Sequence, residues 1–241
     1  VKRFAGLTAT DKVSFSLQEG HIHALIGPNG AGKSTLIHQL CGNLLPTEGR
    51  IIFAGQDITR LAPAARVKLG LGRTFQVTSL LGEFTVRQNI AAAVQVRLGR
   101  NLRILDRMTA RHDVWEEADE LLGRSPLGKR ADIVVDDLSH GERKQLELLV
   151  SLAGRPKVLL LDEPMAGLGH AESQDMIDVL RDLRGKVTIL LVEHDVDAVF
   201  ALADRISVLV YGRIIMTGNA EEIAASADVR EAYLGNEDEL C

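Results

Sequence analysis

The apolar run Ala24-Leu25-Ile26 passes straight into Gly27-Pro28-Asn29-Gly30-Ala31-Gly32-Lys33-Ser34-Thr35, and a helical pattern follows from Thr35 to Leu40. This stretch restricts the fold more than any other. Its glycines and its lysine-serine pair match the spacing G-x-x-x-x-G-K-[ST], and the flanks are the strand and helix that such a loop needs. The glycines allow the loop to fold its N–H groups around phosphate oxygens. Lys33 brings positive charge to the β and γ phosphates, and the Ser34 hydroxyl can ligate Mg²⁺. Taken alone, the loop specifies only a nucleoside triphosphate.

The rest of the chain supplies a sheet for that loop to stand on. Short β-rich runs at Ile22 to Ile26, Ile51 to Phe53, Val158 to Leu161, Val187 to Val192 and Ile206 to Val210 alternate with helical stretches. That rhythm is α/β with a largely parallel core sheet. From about Thr78 to Arg155 helical patterns dominate: Val86, Ile90, Ala93, Val94 and Leu98 keep one face, and a charged stretch from Arg103 to Leu122 follows. A helical subdomain is therefore expected as an insertion in the sheet core. Gly123 to Gly128, with Pro126, reads as a loop within it, and Glu221 to Cys241 reads as a helix with an acidic end. No internal repeat or low-complexity tract interrupts the pattern.

Composition removes whole classes of function. At 241 residues, with 46% apolar and 25% charged residues, the chain has the make-up of an ordinary folded domain, with or without a subdomain, and general disorder is excluded. A net charge of −5 gives no broad footprint for nucleic acid or an anionic membrane. The longest aliphatic stretches, such as Val158 to Leu161 and Ile189 to Val192, fall far below the roughly 18 residues of a spanning helix. No secretory pattern opens the chain. Cys41 and Cys241 are too few for a disulfide scaffold, which fits a reducing cytoplasm. Val1 in first place points to a trimmed chain, with a leading strand expected before it.

Carboxylates mark a second strand end. Val158 to Leu161 lead into Asp162-Glu163, and Pro164 then breaks the backbone. A strand this apolar belongs in the sheet interior, so its acids emerge at the carboxyl edge, the ligand side of open α/β sheets. Asp162 suits the Mg²⁺ shell, and Glu163 can act on the attacking water as a general base. Two solvated acids would be the common reading of Asp-Glu; the cradle favours the functional one. Gln76, after Arg73-Thr74-Phe75, can bridge Mg²⁺ or the water, although a lone glutamine is usually a surface residue. His194 follows the strand Val187 to Val192 and is placed to donate a hydrogen bond to the γ-phosphate and orient the water of Glu163. Histidine itself is no signal, since His21, His23, His38, His112, His140 and His170 occur as well.

Leu138-Ser139-His140-Gly141-Glu142 is a second helix start with an appetite for anions. Gly141 lets a backbone approach a bulky anion, and Ser139 stands where exposed N–H groups and the helix dipole favour phosphate. Ser139 and Glu142 also have capping-box spacing, a structural role compatible with the functional one. Two such starts suggest one nucleotide held between two copies of the chain.

In order, the cradle, Gln76, Leu138 to Glu142, Asp162-Glu163 and His194 resemble the nucleotide-binding subunit of ABC transporters, over essentially the whole chain. The resemblance implies a P-loop NTPase core over 1–77 and 156–241, with an antiparallel β subdomain near the N-terminus, a helical subdomain at 78–155 and a C-terminal tail at 221–241. It implies an ATPase using ATP and Mg²⁺, with Gln76 as the Q-loop glutamine, His194 as the switch histidine, and Ser139 and Gly141 in a signature motif that touches the γ-phosphate bound by a second ATPase subunit, head to tail. Phe4 aligns with the aromatic that stacks on adenine; stacking tolerates Phe for Tyr. The usual signature is Leu-Ser-Gly-Gly-Gln, so His140 and Glu142 are departures. Gly169 is another, standing where the D-loop generally carries aspartate.

Gly72-Arg73-Thr74-Phe75-Gln76, Phe84-Thr85-Val86, Asp162 to Leu168 and Ala232-Tyr233-Leu234-Gly235 look like the branched-chain amino acid importer group, close to the urea and short-chain amide importers. The implied partners are integral membrane permease subunits and, indirectly, a periplasmic solute-binding protein, with the ATPase peripheral on the cytoplasmic face of a bacterial or archaeal inner membrane. The alternatives are the ATPase of a lipid or lipopolysaccharide exporter and a non-transport ABC protein acting on ribosomes or DNA. The acidic, single-cassette chain disfavours the latter, and nucleic acid is not an expected partner.

Overall fold

Every residue of Ile22–Ile26 and of Thr188–Val192 is buried. Strands apolar on both faces belong inside a covered parallel sheet, and that is their place in the computed structural model, which describes residues 1–74, 80–99, 112–123 and 125–234. Two compact units result: one holds Val1–Leu71, Lys157–Glu163 and the chain from Leu183 on, the other Gly72–Pro156 and Pro164–Asp182.

With elements numbered along the chain, the first unit contains β1 (Lys2–Phe4), β2 (Leu7–Thr10), β3 (Ile22–Ile26), α1 (Lys33–Cys41), β4 (Ile52–Phe53), β5 (Gln56–Asp57) and α2 (Pro63–Leu69), and Leu71 opens β6 (Leu71–Arg73). After the second unit's first segment come β7 (Val158–Asp162), β8 (Thr188–Val192), α7 (Val196–Leu202), β9 (Arg205–Val210), β10 (Arg213–Gly218), α8 (Ala220–Ala225) and α9 (Ala227–Leu234). The described strands form a six-stranded sheet in the order β10-β9-β3-β8-β7-β6. Its centre, β9-β3-β8-β7, is parallel, and β10 pairs antiparallel with β9. The antiparallel pairs β1-β2 and β4-β5 supply the expected N-terminal β subdomain. Leu25, Ile37, Leu160, Leu190 and Leu209 fill one core cluster, and Ala24, Val199, Ile206 and Val208 another.

One buried cation fastens the helix that follows the loop. Arg66 of α2 is 1% exposed, and its guanidinium donates to the carbonyls of Gln39 at 2.7 Å, Leu40 at 2.6 Å, Thr59 at 2.8 Å and Leu61 at 3.0 Å. Gln39 and Leu40 end α1, where unsatisfied carbonyls and the negative end of the dipole favour a cation.

The second unit is helical: α3 (Val86–Arg97), α4 (His112–Gly123), α5 (His140–Ala153) and α6 (His170–Leu183), the last up to Asp182. Thr85 and Gln88 close a capping box at the start of α3. Ile90, Val94, Val114, Ala118, Leu146 and Leu149 form the core among α3, α4 and α5. Arg97 braces the helix ends through the Ala153 carbonyl at 2.9 Å and the Glu117 carboxylate at 2.5 Å.

Several details differ from the sequence reading. Leu98 is 37% exposed, because α3 ends at Arg97 and leaves it at the cap. Pro126–Arg130 winds into a 3₁₀ turn where a loop was expected, with Ser125 accepting from Leu127 N–H at its start. The tail forms two helices instead of one: Ser226 ends α8 in extended conformation. β10 was not anticipated, since an edge strand alternating exposed and half-buried residues carries a weak signal.

Arg66→Met removes the shared donor and strands buried carbonyls. The expected loss of stability is about 2–4 kcal/mol, read as a lower urea midpoint; an unchanged midpoint would show that these bonds contribute nothing.

Candidate functional site

Strand register sets the geometry. Val192 of β8 lies opposite both Leu25 of β3 and Asp162 of β7, so these three parallel neighbours end level with one another. The residues just past their ends, Gly27, Glu163 and the pair Glu193-His194, therefore emerge along one carboxyl edge.

The loop leaving β3 is held by close backbone contacts. A Cβ at Gly27 would stand 2.0 Å from the Leu209 carbonyl oxygen, and one at Gly32 would stand 2.3 Å from that of Ala9. Gly32 also has φ +105°, a left-handed conformation that side chains resist. The Gly212 N–H donates to the Ala31 carbonyl at 2.9 Å. The loop is thus braced from β2 and from the β9–β10 hairpin. Lys33, the first residue of α1, turns back to donate to the carbonyls of Gly27 at 2.5 Å and Pro28 at 3.1 Å. Ser34 stays exposed at the positive end of that helix.

Charge is concentrated beside the loop. Asp162 is buried and Glu163 half-buried. Glu163 holds φ +51° with its N–H donated to Val192 O at 2.8 Å, a conformation that costs about 1–3 kcal/mol and is found preferentially at functional sites. Burial pulls the Lys33 ammonium below the ordinary lysine pKa, and the carboxylates of Glu163 and Asp162 oppose that pull. At the end of β8, the fully buried Glu193 carboxylate accepts the His194 N–H at 3.1 Å and lies 3.7 Å from its Nδ1. The ring itself is largely exposed. Asp195 accepts from the Ala198 N–H and caps α7.

An open cavity of about 450 Å³ has Phe4, Asn29 to Thr35 and Glu163 in its wall. Of the residues singled out from sequence, it brings these together. Asp162 and His194 stand at the neighbouring strand ends outside the lining, Gly27 and Pro28 form the start of the loop behind it, Ser139 and Gly141 belong to the second unit, and Gln76 lies outside the described residues. Sequence reasoning missed Leu7, Thr8 and Tyr211, which also line the cavity; no spacing rule links them to the loop. Among the described residues no group of three or more His, Cys, Asp or Glu is arranged to hold a metal ion by itself. The donors at hand are one hydroxyl, one buried carboxylate and whatever oxygens a ligand brings. That set fits Mg²⁺, which takes few protein ligands and completes its shell with phosphate and water.

In the second unit, the helix start at Ser139 forms both halves of a capping box: the Ser139 hydroxyl accepts from Glu142 N–H at 3.2 Å, and the Glu142 carboxylate accepts from Ser139 N–H at 2.9 Å. The loop Met165 to Gly169 is strapped to the same helix. Lys144 donates to the Ala166 carbonyl at 2.6 Å, and His140 Nε2 lies 3.5 Å from where a Cβ on Gly167 would be. Glu172 bridges the two: one oxygen accepts from Gly169 N–H at 3.2 Å, the other from the Ser139 hydroxyl at 3.3 Å. Gly141 leaves the room for it, since a Cβ there would stand 2.4 Å from the Glu172 carboxyl carbon. His140 and Gly169, two of the three residues that depart from the expected pattern, thus both take part in one local packing arrangement. Glu172 carried no signal in the sequence.

The chain is similar to known proteins along most of its length. The model of the family described as ABC transporter matches residues 10–166. The high-affinity branched-chain amino acid transport ATP-binding protein LivG of Salmonella typhimurium is 36% identical over 240 residues, covering 97% of this chain and 94% of that protein. BraF of Pseudomonas aeruginosa, which carries the same description, is 35% identical with the same coverage. Among solved structures, the ADP conformation of an ATP-binding cassette of an ABC transporter is similar with a TM-score of 0.85 and 32% identity over 97% of this chain and 95% of that one. A nucleotide-free cassette gives 0.83 and 31% over 96% and 95%.

The lowered pKa of Lys33 yields a signed prediction. A phosphate ligand needs the ammonium charged, so affinity for triphosphate falls as pH rises through the Lys33 pKa, beginning below the ordinary lysine range. Calorimetric titration at a series of alkaline pH values below the ordinary lysine pKa, in buffers of different ionisation enthalpy, should show proton uptake on binding; uptake indistinguishable from that of Lys33→Arg would contradict it.

Proposed function

The chain belongs to the ABC transporter family, and from that premise we propose that it is the ATP-hydrolysing subunit of an importer for branched-chain amino acids or related small amides. The observation that carries the chemistry is the single cavity wall uniting Asn29 to Thr35 with Glu163, beside the buried Asp162. The cargo rests on likeness to LivG and BraF, described as branched-chain amino acid transport proteins.

In this reading the loop Gly27 to Thr35 wraps the phosphates, and Lys33 neutralises charge on the β and γ groups. Ser34 and Asp162, with Gln76, would hold Mg²⁺, which supplies charge neutralisation at the phosphate oxygens. Glu163 accepts the proton of the attacking water. His194, aimed from the end of β8 and backed by the Glu193 carboxylate, positions that water and the γ-phosphate. Phe4 stacks on adenine. Ser139 and Gly141 belong to the other side of the site: they meet the γ-phosphate held by a second ATPase subunit, identical or similar, arranged head to tail. ATP binding then favours the closed pair and hydrolysis the open one, a population shift driven by ligand bound between two states.

Among the described residues no helix is long and apolar enough to cross a membrane. The proposal assigns the pathway to integral permease subunits fed by a periplasmic solute-binding protein, with this chain peripheral on the cytoplasmic face.

Glu163→Gln should bind ATP, lose about 10²- to 10⁴-fold in phosphate release, and accumulate as a dimer with ATP on sizing. Wild-type turnover in that variant would end the general-base assignment. Lys33→Ala should instead weaken nucleotide binding itself.

A further inference from the structure

Tyr211 is 88% exposed, more than any other large apolar side chain of the described residues whose exposure is known. It sits at the first position of the two-residue turn Tyr211-Gly212 between β9 and β10, with φ +46°, followed by +77° at Gly212. Such primed turns favour Asn or Gly at that position, because other side chains resist positive φ. An aromatic there gains neither turn energy nor burial in the isolated chain.

Its neighbours suggest what it gains instead. Tyr211 lines the cavity of the phosphate loop, as do Phe4, 45% exposed, and Leu7, 66% exposed. Three exposed apolar side chains thus share one cavity with the polar loop and Lys33. That division matches a nucleotide, whose phosphates want charge and N–H groups and whose base and sugar offer flat, weakly polar faces. Phe4 already has the Lys2 ammonium over its ring, 5.1 Å from the centroid. The hairpin is also fixed against the loop: Gly212 donates to Ala31 O at 2.9 Å and accepts from Asp11 N–H at 2.7 Å, and a Cβ at Gly212 would stand 2.8 Å from Ala9 O. Tyr211 is therefore carried by a rigid mount.

We propose that Tyr211 is a second aromatic contact of the bound nucleotide, packing its ring on the nucleoside end, in addition to Phe4. The inference rests on the reading of the cavity as the ATP site. Tyr211 acts in affinity and orientation and takes no part in the chemistry.

The test is equilibrium binding of Mg·ATP and of inorganic tripolyphosphate to the full chain, in wild type, Tyr211→Asn, Tyr211→Phe and Lys33→Ala. Asn suits the turn, so Tyr211→Asn should keep or raise Tm while the ATP Kd rises about tenfold. Tyr211→Phe should bind ATP like wild type, and tripolyphosphate affinity should be the same in all three chains that retain Lys33. Unchanged ATP affinity in Tyr211→Asn, or an equal loss for ATP and tripolyphosphate, overturns the proposal while leaving the ATP site intact, provided that Lys33→Ala weakens both ligands. Lys33→Ala binding both ligands like wild type would overturn the ATP-site reading and this proposal with it.

Discussion

The common level at which β3, β7 and β8 end is the constraint on which the site depends. Val192 faces Leu25 on one side and Asp162 on the other, and burial of all five residues in β3 and β8 leaves this register little freedom. A shift of β7 by one residue would turn Asp162 to the opposite face of the sheet. The phosphate loop precedes the carboxylate pair by more than a hundred residues of sequence, and Glu193-His194 follow that pair after a further helix, yet all three are strand-end residues on one edge. Hydrophobic packing thus sets the position of the polar groups, and close backbone contacts at Gly27 and Gly32 fix the loop itself.

In the second unit one residue has a structural role beside the chemical one proposed for it. Ser139 caps α5 and donates to Glu172, whose other oxygen satisfies Gly169 N–H. Gly141, proposed for close approach to phosphate, is also the notch that admits the Glu172 carboxyl. The Glu172 carboxylate thus ties the loop at Gly169 to the start of α5, and His140 packs on Gly167. Substitutions at Ser139 or Gly141 accordingly act on helix stability, of about 1 kcal/mol for a cap, as well as on the proposed phosphate contact.

Much of this was legible in the sequence because the informative residues are local. The strand before Gly27, the apolar run before Asp162 and the serine-to-glutamate spacing at 139–142 each carry their own signal, and the structure forms β3, β7 and the capping box accordingly. Residues whose significance is purely tertiary were silent. Arg66 is one more arginine until four carbonyls converge on it. Tyr211 lies about 180 residues from the loop whose cavity it lines, and Glu172 meets Ser139 only because α6 begins beside α5. Gln76 and the end of the tail rest on the sequence alone, since they lie outside the described residues.

Under the proposed function, hydrolysis needs the phosphate loop of one chain and the Ser139–Gly141 turn of another. Mixing Lys33→Ala chains with Gly141→Asp chains tests it most directly. Each variant alone leaves every site with either a defective loop or a defective turn, whereas the mixed pair contains one site with both parts intact. The account predicts that ATP-dependent phosphate release, absent from each variant, reappears in the mixture. A mixture as inactive as its components would contradict it.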